Sequence, residues 1–174
     1  TKSIFLVTNG QEPDMIQKLQ DEDALPTQLY LSTNAADYES FMKINKPKYD
    51  DSWERWNKTL DMLKDLNTRT VLRITLIRDY NDQKESIPAF AEMFRKASPH
   101  FIEIKSYMHI GRSTNRLEYE NMLEMDEVKN FSEEIAKQSK IFSIMDESIV
   151  SRISILQNNE RFIDRFISTY ANTI

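Results

Sequence analysis

The strongest constraint on this chain is an alternation. Four short apolar, β-branched runs are each followed by a helix-like stretch. "SIFLVTNG" (3–10), "TQLYLSTN" (27–34), "RTVLRITLIRDYN" (69–81) and residues 101–108 read as strands by length and composition. Between them, "PDMIQKLQDEDA" (13–24) places Pro13 at a first helical position. "DYESFMKIN" (37–45) is a short helix that Pro47 ends. "DDSWERWNKTLDMLKDLN" (50–67) repeats Trp53, Trp56, Leu60 and Leu63 at helical spacing, with Asp51 or Ser52 as cap. "SIPAFAEMFRKAS" (86–98) is a further helix, as is 124–140 with Val128, Phe131 and Ile135 on one side. Strands separated by helices pair in parallel through right-handed crossovers. "KIFSIMDES" and "VSRISILQNN" follow with no helix between them and read as a terminal hairpin, set apart from the repeat.

The strand faces narrow the architecture. Leu72, Ile74 and Leu76 fill one face of the third strand, while Arg73 and Thr75 share the other with Val71 and Ile77. In the second strand, Leu29 and Leu31 oppose Gln28, Tyr30, Ser32 and Asn34. In the fourth, Ile102 and Ile104 oppose Glu103 and Lys105. A sheet covered by helices on both sides needs apolar residues on both faces. Here three strands in a row carry a polar face. The simplest geometry is a whole or partial barrel with helices outside and a polar ligand inside. Glu103 either pairs within the lumen, with Lys105 or Arg73, or helps to wall a site.

Composition removes other classes. The 28 acidic and 23 basic residues give a net charge of −5, which argues against general coating of nucleic acid but leaves room for a local basic patch. No apolar run approaches the roughly 20 residues that span a bilayer. With no Cys there is no disulfide framework and no thiolate metal site, and the two His would leave a metal to carboxylates. No metal ligand is assigned, and the expected address is the cytosol. The first residue, Thr1, lies in what reads as the approach to a strand, as in a piece of a longer protein.

At this point particular segments carry a resemblance. "LVTNG", "LPTQLYLS", "WERWNKTLDMLKDL", "RTVLRITLIRDYND", "FIEIKSYMHIGRSTNRL" and "NMLEMDEV" occur in this order. They resemble the later half of the radical S-adenosylmethionine enzymes of wybutosine synthesis, the 4-demethylwyosine synthases, in archaeal form. The resemblance covers nearly the whole chain and thins over 146–174. It implies an α/β fold: the later part of a partial TIM-type barrel of six βα units, with four parallel strands and outer helices. Residues 1–140 are the expected barrel portion and 141–174 the expected hairpin extension. The implied activity is that of a cytoplasmic radical-SAM lyase. Such an enzyme condenses 1-methylguanosine of phenylalanine tRNA with pyruvate to give 4-demethylwyosine, using S-adenosylmethionine and a four-iron four-sulfur cluster.

By motif position the resemblance also assigns residues. Asn9, Ser32, Arg73, Thr75, Lys105, Tyr107 and Met108 fall to the cofactor, at the C-terminal strand ends where such barrels bind ligands. Arg73 would pair with the cofactor carboxylate. Arg112, Ser113 and Arg116, in the loop after Gly111, fall to tRNA, or else are solvated loop residues. His109 is a loop hydrogen-bonder or a substrate contact. Trp53 and Trp56 read as core rather than base-stacking residues, and Lys43, Lys46 and Lys48 as a solvated basic loop.

Departures are specific. The family's cluster cysteines, its Gly-Glu-Pro stretch and its proposed Schiff-base lysine are not in this sequence, so the segment alone should be inactive. Asn34 stands where the family usually has an acid, and Asp79 where Gly is common. A non-catalytic half-barrel that binds or scaffolds, and a radical-SAM enzyme with another substrate, are the alternatives.

Overall fold

The computed structural model describes residues 3–167. Its elements run β1 (Phe5–Thr8), α1 (Pro13–Asp21), β2 (Gln28–Ser32), α2 (Tyr38–Asn45), α3 (Ser52–Met62), β3 (Arg69–Leu76), α4 (Ile87–Ala97), β4 (Phe101–Ser106), α5 (Met125–Ser139), β5 (Phe142–Ser148) and β6 (Ile153–Asn158). All six strands form one mixed sheet in the order β1-β2-β3-β4-β6-β5. The first four are parallel, and the last two run antiparallel to β4 and to each other.

Local chemistry sets the helix ends. Asp37 accepts the Ser40 N–H at 2.9 Å and caps α2, whose other end closes on Lys46 in the left-handed region at φ +45°. Glu124 and Glu127 form a reciprocal capping box on α5. Pro13 begins α1 without losing a needed hydrogen bond.

The apolar strand face forms the core. Leu29, Leu31, Leu72, Ile74, Leu76, Ile102, Ile104 and Leu156 are all fully buried. They pack in one cluster with Ile16 of α1, Trp56 and Leu60 of α3, Phe90 and Phe94 of α4, and Val128, Phe131 and Ile135 of α5. Each buried Leu, Ile or Phe contributes about 1.5–3 kcal/mol of transfer free energy. The other face is polar and mostly half-buried at Tyr30, Ser32, Arg73, Thr75 and Lys105. Trp53 and Trp56 stack on each other at 5.3 Å, and Trp56 Nε1 donates to the Ser32 carbonyl, so the pair is spent on packing.

The hairpin is not set apart from the repeat. β6 hydrogen-bonds along β4, with Glu103 opposite Ile155 and Lys105 opposite Ile153. β4 would otherwise present an open edge, and Leu156 carries the core one strand further. Residues 168–174 of the 141–174 extension lie outside the described residues. At the opposite margin, β1 pairs with β2 alone among the described residues, and Phe5 and Val7 are more than half exposed.

His100 sits at the N-terminal end of β4, where its Nδ1 accepts the Thr70 N–H at 3.1 Å. Burial first, then the Arg161 and Arg69 charges, push its imidazole down to about 4. The folded state therefore holds His100 neutral while the unfolded chain still takes up its proton. The stability tied to neutral His100 is full above about pH 6.5 and is lost as pH falls from there towards 4. His100→Asn is expected to flatten that limb of a stability–pH curve. An unchanged curve between pH 7 and 4 would contradict it.

Candidate functional site

The site is built at the C-terminal ends of the parallel strands. After β1 the chain turns at Gly10, whose φ of +76° favours glycine. Gly10 N–H donates to Thr8 Oγ1, Gln11 N–H donates to Asn9 Oδ1, and Thr59 Oγ1 pins the Gly10 carbonyl at 2.8 Å. This turn sets Asn9 and Gln11 on the wall of a hollow of about 530 Å³, with Ser32, Asn34, Asn45 and Tyr49. Gln11 is 9% exposed. Its Nε2 donates to the Ser52 carbonyl, while its buried Oε1 meets no donor among the described residues.

A second hollow, of about 400 Å³, is lined by Asn34, Thr75, Lys105, Tyr107, Met108 and Arg116, and Ser113 also reaches it. Asn34 and Asn45 line both hollows, so the two adjoin. Asn34 Oδ1 accepts the Thr75 N–H at 3.1 Å, and its Nδ2 donates to Asn45 Oδ1 at 3.3 Å. A carboxylate in its place could make the first bond but not donate the second. Asn81, only 2% exposed, donates to the Asn34 and Thr75 carbonyls and accepts the Ile77 N–H, fixing this corner. Asp79 is in the left-handed region at φ +68°, a conformation that suits Gly and that Asp tolerates.

Of the residues assigned from sequence, Asn9 and Ser32 meet in the first hollow. Thr75, Lys105, Tyr107, Met108, Ser113 and Arg116 meet in the second. Arg73 and Arg112 line neither. Arg73 Nε donates to Glu103 Oε1 at 2.7 Å and Nη2 to Oε2 at 3.3 Å, in facing positions of β3 and β4. Its guanidinium also lies 4.4 Å from the Tyr30 ring. Burial first, then the Glu103 charge, raise the Tyr30 phenol. Tyr107 hydroxyl is bonded to His109 Nδ1 at 3.1 Å, so His109 serves the loop. Ser113 Oγ donates to the Ile110 carbonyl, closing its own turn.

Sequence reasoning passed over Gln11, Asn45 and Asn81. Each is an amide in a loop or, for Asn45, at a helix end, where composition alone cannot tell a turn-former from a wall. The signal available was position: all three lie within a few residues of a strand's C-terminal end or a neighbouring helix end.

The polar wall fits S-adenosylmethionine: amides and hydroxyls for its ribose and amino acid, a cation for its carboxylate, and an aromatic ring for its base. It does not fit an iron–sulfur cluster. The chain has no cysteine, and the described residues contain no group of three or more His, Asp or Glu placed to hold a metal. No helix among the described residues is long and apolar enough to cross a membrane.

Residues 96–158 match the family model for wyosine base formation. The chain is 38% identical over 156 residues to the S-adenosyl-L-methionine-dependent tRNA 4-demethylwyosine synthase of Pyrococcus abyssi, covering 90% of this chain and 45% of that protein. Against the enzyme of the same name from Methanocaldococcus jannaschii, identity is 42% over 162 residues, covering 92% and 48%. The chain thus spans about half the length of these curated relatives. Among solved structures, TYW1 with a lysine-pyruvate adduct bound superposes at a TM-score of 0.79 and 41% identity, over 91% of this chain and 48% of that one. Archaeal TYW1 gives 0.71 and 36%, over 91% and 47%. The radical SAM enzyme coproporphyrinogen III oxidase of Escherichia coli gives 0.55 at 12% identity over 90% of this chain and 35% of that one, a likeness of fold alone. On sequence and fold together, the chain belongs to the tRNA 4-demethylwyosine synthase family, whose C-terminal portion it matches.

Proposed function

We propose that the parent protein is a cytoplasmic radical-SAM lyase of wybutosine synthesis. It condenses 1-methylguanosine in phenylalanine tRNA with pyruvate to give 4-demethylwyosine. Residues 1–140 then form the later part of a partial (βα)6 barrel, and 141–174 an extension that prolongs its sheet. One observation carries the reading. Hydrophilic side chains of consecutive parallel strands open on adjoining hollows at the strands' C-terminal ends, in a chain of this family.

S-adenosylmethionine supplies, when cleaved, the 5′-deoxyadenosyl radical that the chemistry needs. Asn9 and Ser32 would hold its ribose or methionyl part, and Thr75, Tyr107 and Met108 its adenosine side. Lys105, which forms no ion pair among the described residues, would face its carboxylate, while Arg73 stays on Glu103 outside both hollows. Cluster ligands belong outside this segment, so the segment by itself should be inactive. Pyruvate as two-carbon donor agrees with the lysine–pyruvate adduct of the TYW1 structure. Arg112, Ser113 and Arg116 would meet tRNA at the rim.

The direct test is nucleoside mass spectrometry. The reduced full-length protein is incubated with S-adenosylmethionine, pyruvate and phenylalanine tRNA carrying 1-methylguanosine. The tricyclic 4-demethylwyosine is the expected product, and persistence of 1-methylguanosine alone would overturn the reading. Within it, Lys105→Met is expected to weaken S-adenosylmethionine binding about ten-fold, the loss of one charge-assisted contact of roughly 1.5 kcal/mol. Calorimetric titration measures this, and an unaltered dissociation constant would take Lys105 out of the cofactor site.

A further inference from the structure

Many cations of this chain sit beside carboxylates. Lys18, Arg55, Lys58, Arg78, Arg95, Lys96, Lys129, Lys137, Arg152 and Arg165 all form ion pairs. For a chain of net charge −5, that is the expected surface. Exposed cations without such a partner among the described residues are Lys64, Lys84 and Lys140 and, at the mouth of the site, five more. Lys43, Lys46, Lys48, Arg112 and Arg116 have no acidic partner among the described residues.

Three of these cations converge. Lys43 lies in the last turn of α2, Lys46 caps that helix, and Arg116 follows the short 3-10 turn Gly111–Asn115. Together they line one narrow cleft floored by Ile44, Ile77 and Leu117. Lys43 Nζ is held 5.1 Å from the Tyr80 ring centroid, which restrains it over the cleft. A helix C-terminus favours lysines on its own account, so the macrodipole explains Lys43 and Lys46. It does not explain Arg116, which arrives from a separate loop.

The cleft encloses about 60 Å³. The hollows it adjoins enclose about 530 and 400 Å³. On that scale the narrow cleft suits a small oxyanion better than a nucleobase. Charges of one sign over an apolar floor focus the field on such a group. The cleft also shares Lys46 with the first hollow, and Ile44, Ile77, Arg116 and Leu117 with the second. An oxyanion seated there stands at the edge of both.

We propose that Lys43, Lys46 and Arg116 form a clamp for one backbone phosphate of the tRNA. The clamp anchors the strand at the rim so that a neighbouring nucleotide enters the hollows. This rests on the tRNA-modifying reading above and adds to it a second, helix-borne limb that the Gly111–Arg116 loop does not supply.

Binding of phenylalanine tRNA to the full-length protein, measured by filter retention between 50 and 300 mM KCl, tests it. Lys43→Ala/Lys46→Ala/Arg116→Ala is expected to weaken binding about ten-fold or more near 100 mM salt. It should also flatten the log–log salt slope by roughly 0.7–0.9, the counterion release of one phosphate. The charge-keeping set Lys43→Arg/Lys46→Arg/Arg116→Lys should stay close to the parent, and Lys64→Ala, away from the mouth, should leave affinity and slope unchanged. If the parent binds tRNA and the triple alanine variant matches it in affinity and slope, the clamp is overturned while the tRNA reading stands. If the parent itself does not bind tRNA, the reading fails and the clamp fails with it.

Discussion

Arg73→Leu is expected to cost about 3 kcal/mol of folding stability. At roughly 2–4 °C per kcal/mol for a chain of this size, the melting temperature should fall by about 6–12 °C. The reason lies in what is left behind. The Glu103 side chain is 11% exposed and receives both its charge-assisted bonds from Arg73. Removing the guanidinium strands a carboxylate among Phe101, Lys105 and the β6 side chains, where water reaches it poorly. Lys105 is the nearest rescue by sequence, yet it forms no ion pair with Glu103 in the fold. Glu103→Leu should cost less, because the Arg73 side chain is 28% exposed and keeps the Tyr30 ring beneath it. Arg73→Leu/Glu103→Leu should recover most of the loss, since a well-packed apolar pair of similar size replaces a buried ion pair at little cost. Urea denaturation of the four proteins gives the coupling directly. A coupling below about 0.5 kcal/mol would mean that the pair is screened like a surface bridge.

That pair marks the limit of what the sequence disclosed. Alternation in Leu72, Ile74 and Leu76 announced a helix-facing strand, and all three are fully buried. The 3.6-residue spacing of Val128, Phe131 and Ile135 announced α5, and all three are in the core. Periodicity is a property of neighbours along the chain, so it is legible without the fold. Partner choice is not. Arg73 and Lys105 were equal candidates for Glu103 on sequence; the register of β3 against β4 sets Arg73 directly opposite. The place of the hairpin was hidden for the same reason. Nothing local in "VSRISILQNN" says that it will add antiparallel to the edge of a parallel run. The candidate site was half legible. Strand-end residues were identified by the resemblance, whereas Gln11 and Asn45 line it, and Asn81 braces it, only because the loop after β1, the end of α2 and the loop after β3 come together over the strand ends.

Gly10→Ala should be nearly as disruptive as Arg73→Leu, through backbone rather than charge. At φ +76° an L side chain is strained, by roughly 1–2 kcal/mol. The added Cβ would also fall 2.7 Å from Leu31 Cδ1 and 3.1 Å from Trp56 Cδ1. Neither neighbour yields easily: Leu31 is fully buried, and Trp56 is tied by its Nε1 to the Ser32 carbonyl. Overpacking of this kind adds about 1–3 kcal/mol. The total is about 3 kcal/mol, seen as a lowered urea midpoint with an unchanged slope. The effect should not stop at stability. Gly10 holds the turn that sets Asn9 and Gln11 on one wall, and Ser32 is joined to the same place through Trp56. A displaced turn moves all three. In the full-length protein the variant should lose affinity for S-adenosylmethionine by more than ten-fold at temperatures well below its melting point. Gly111→Ala provides the contrast: it shares the positive φ, at +64°, but a Cβ there meets nothing within 4 Å. It should show the backbone strain alone, at roughly half the stability loss. Equal losses from the two substitutions would mean that the packing of Leu31 and Trp56 against Gly10 places no constraint on the first hollow.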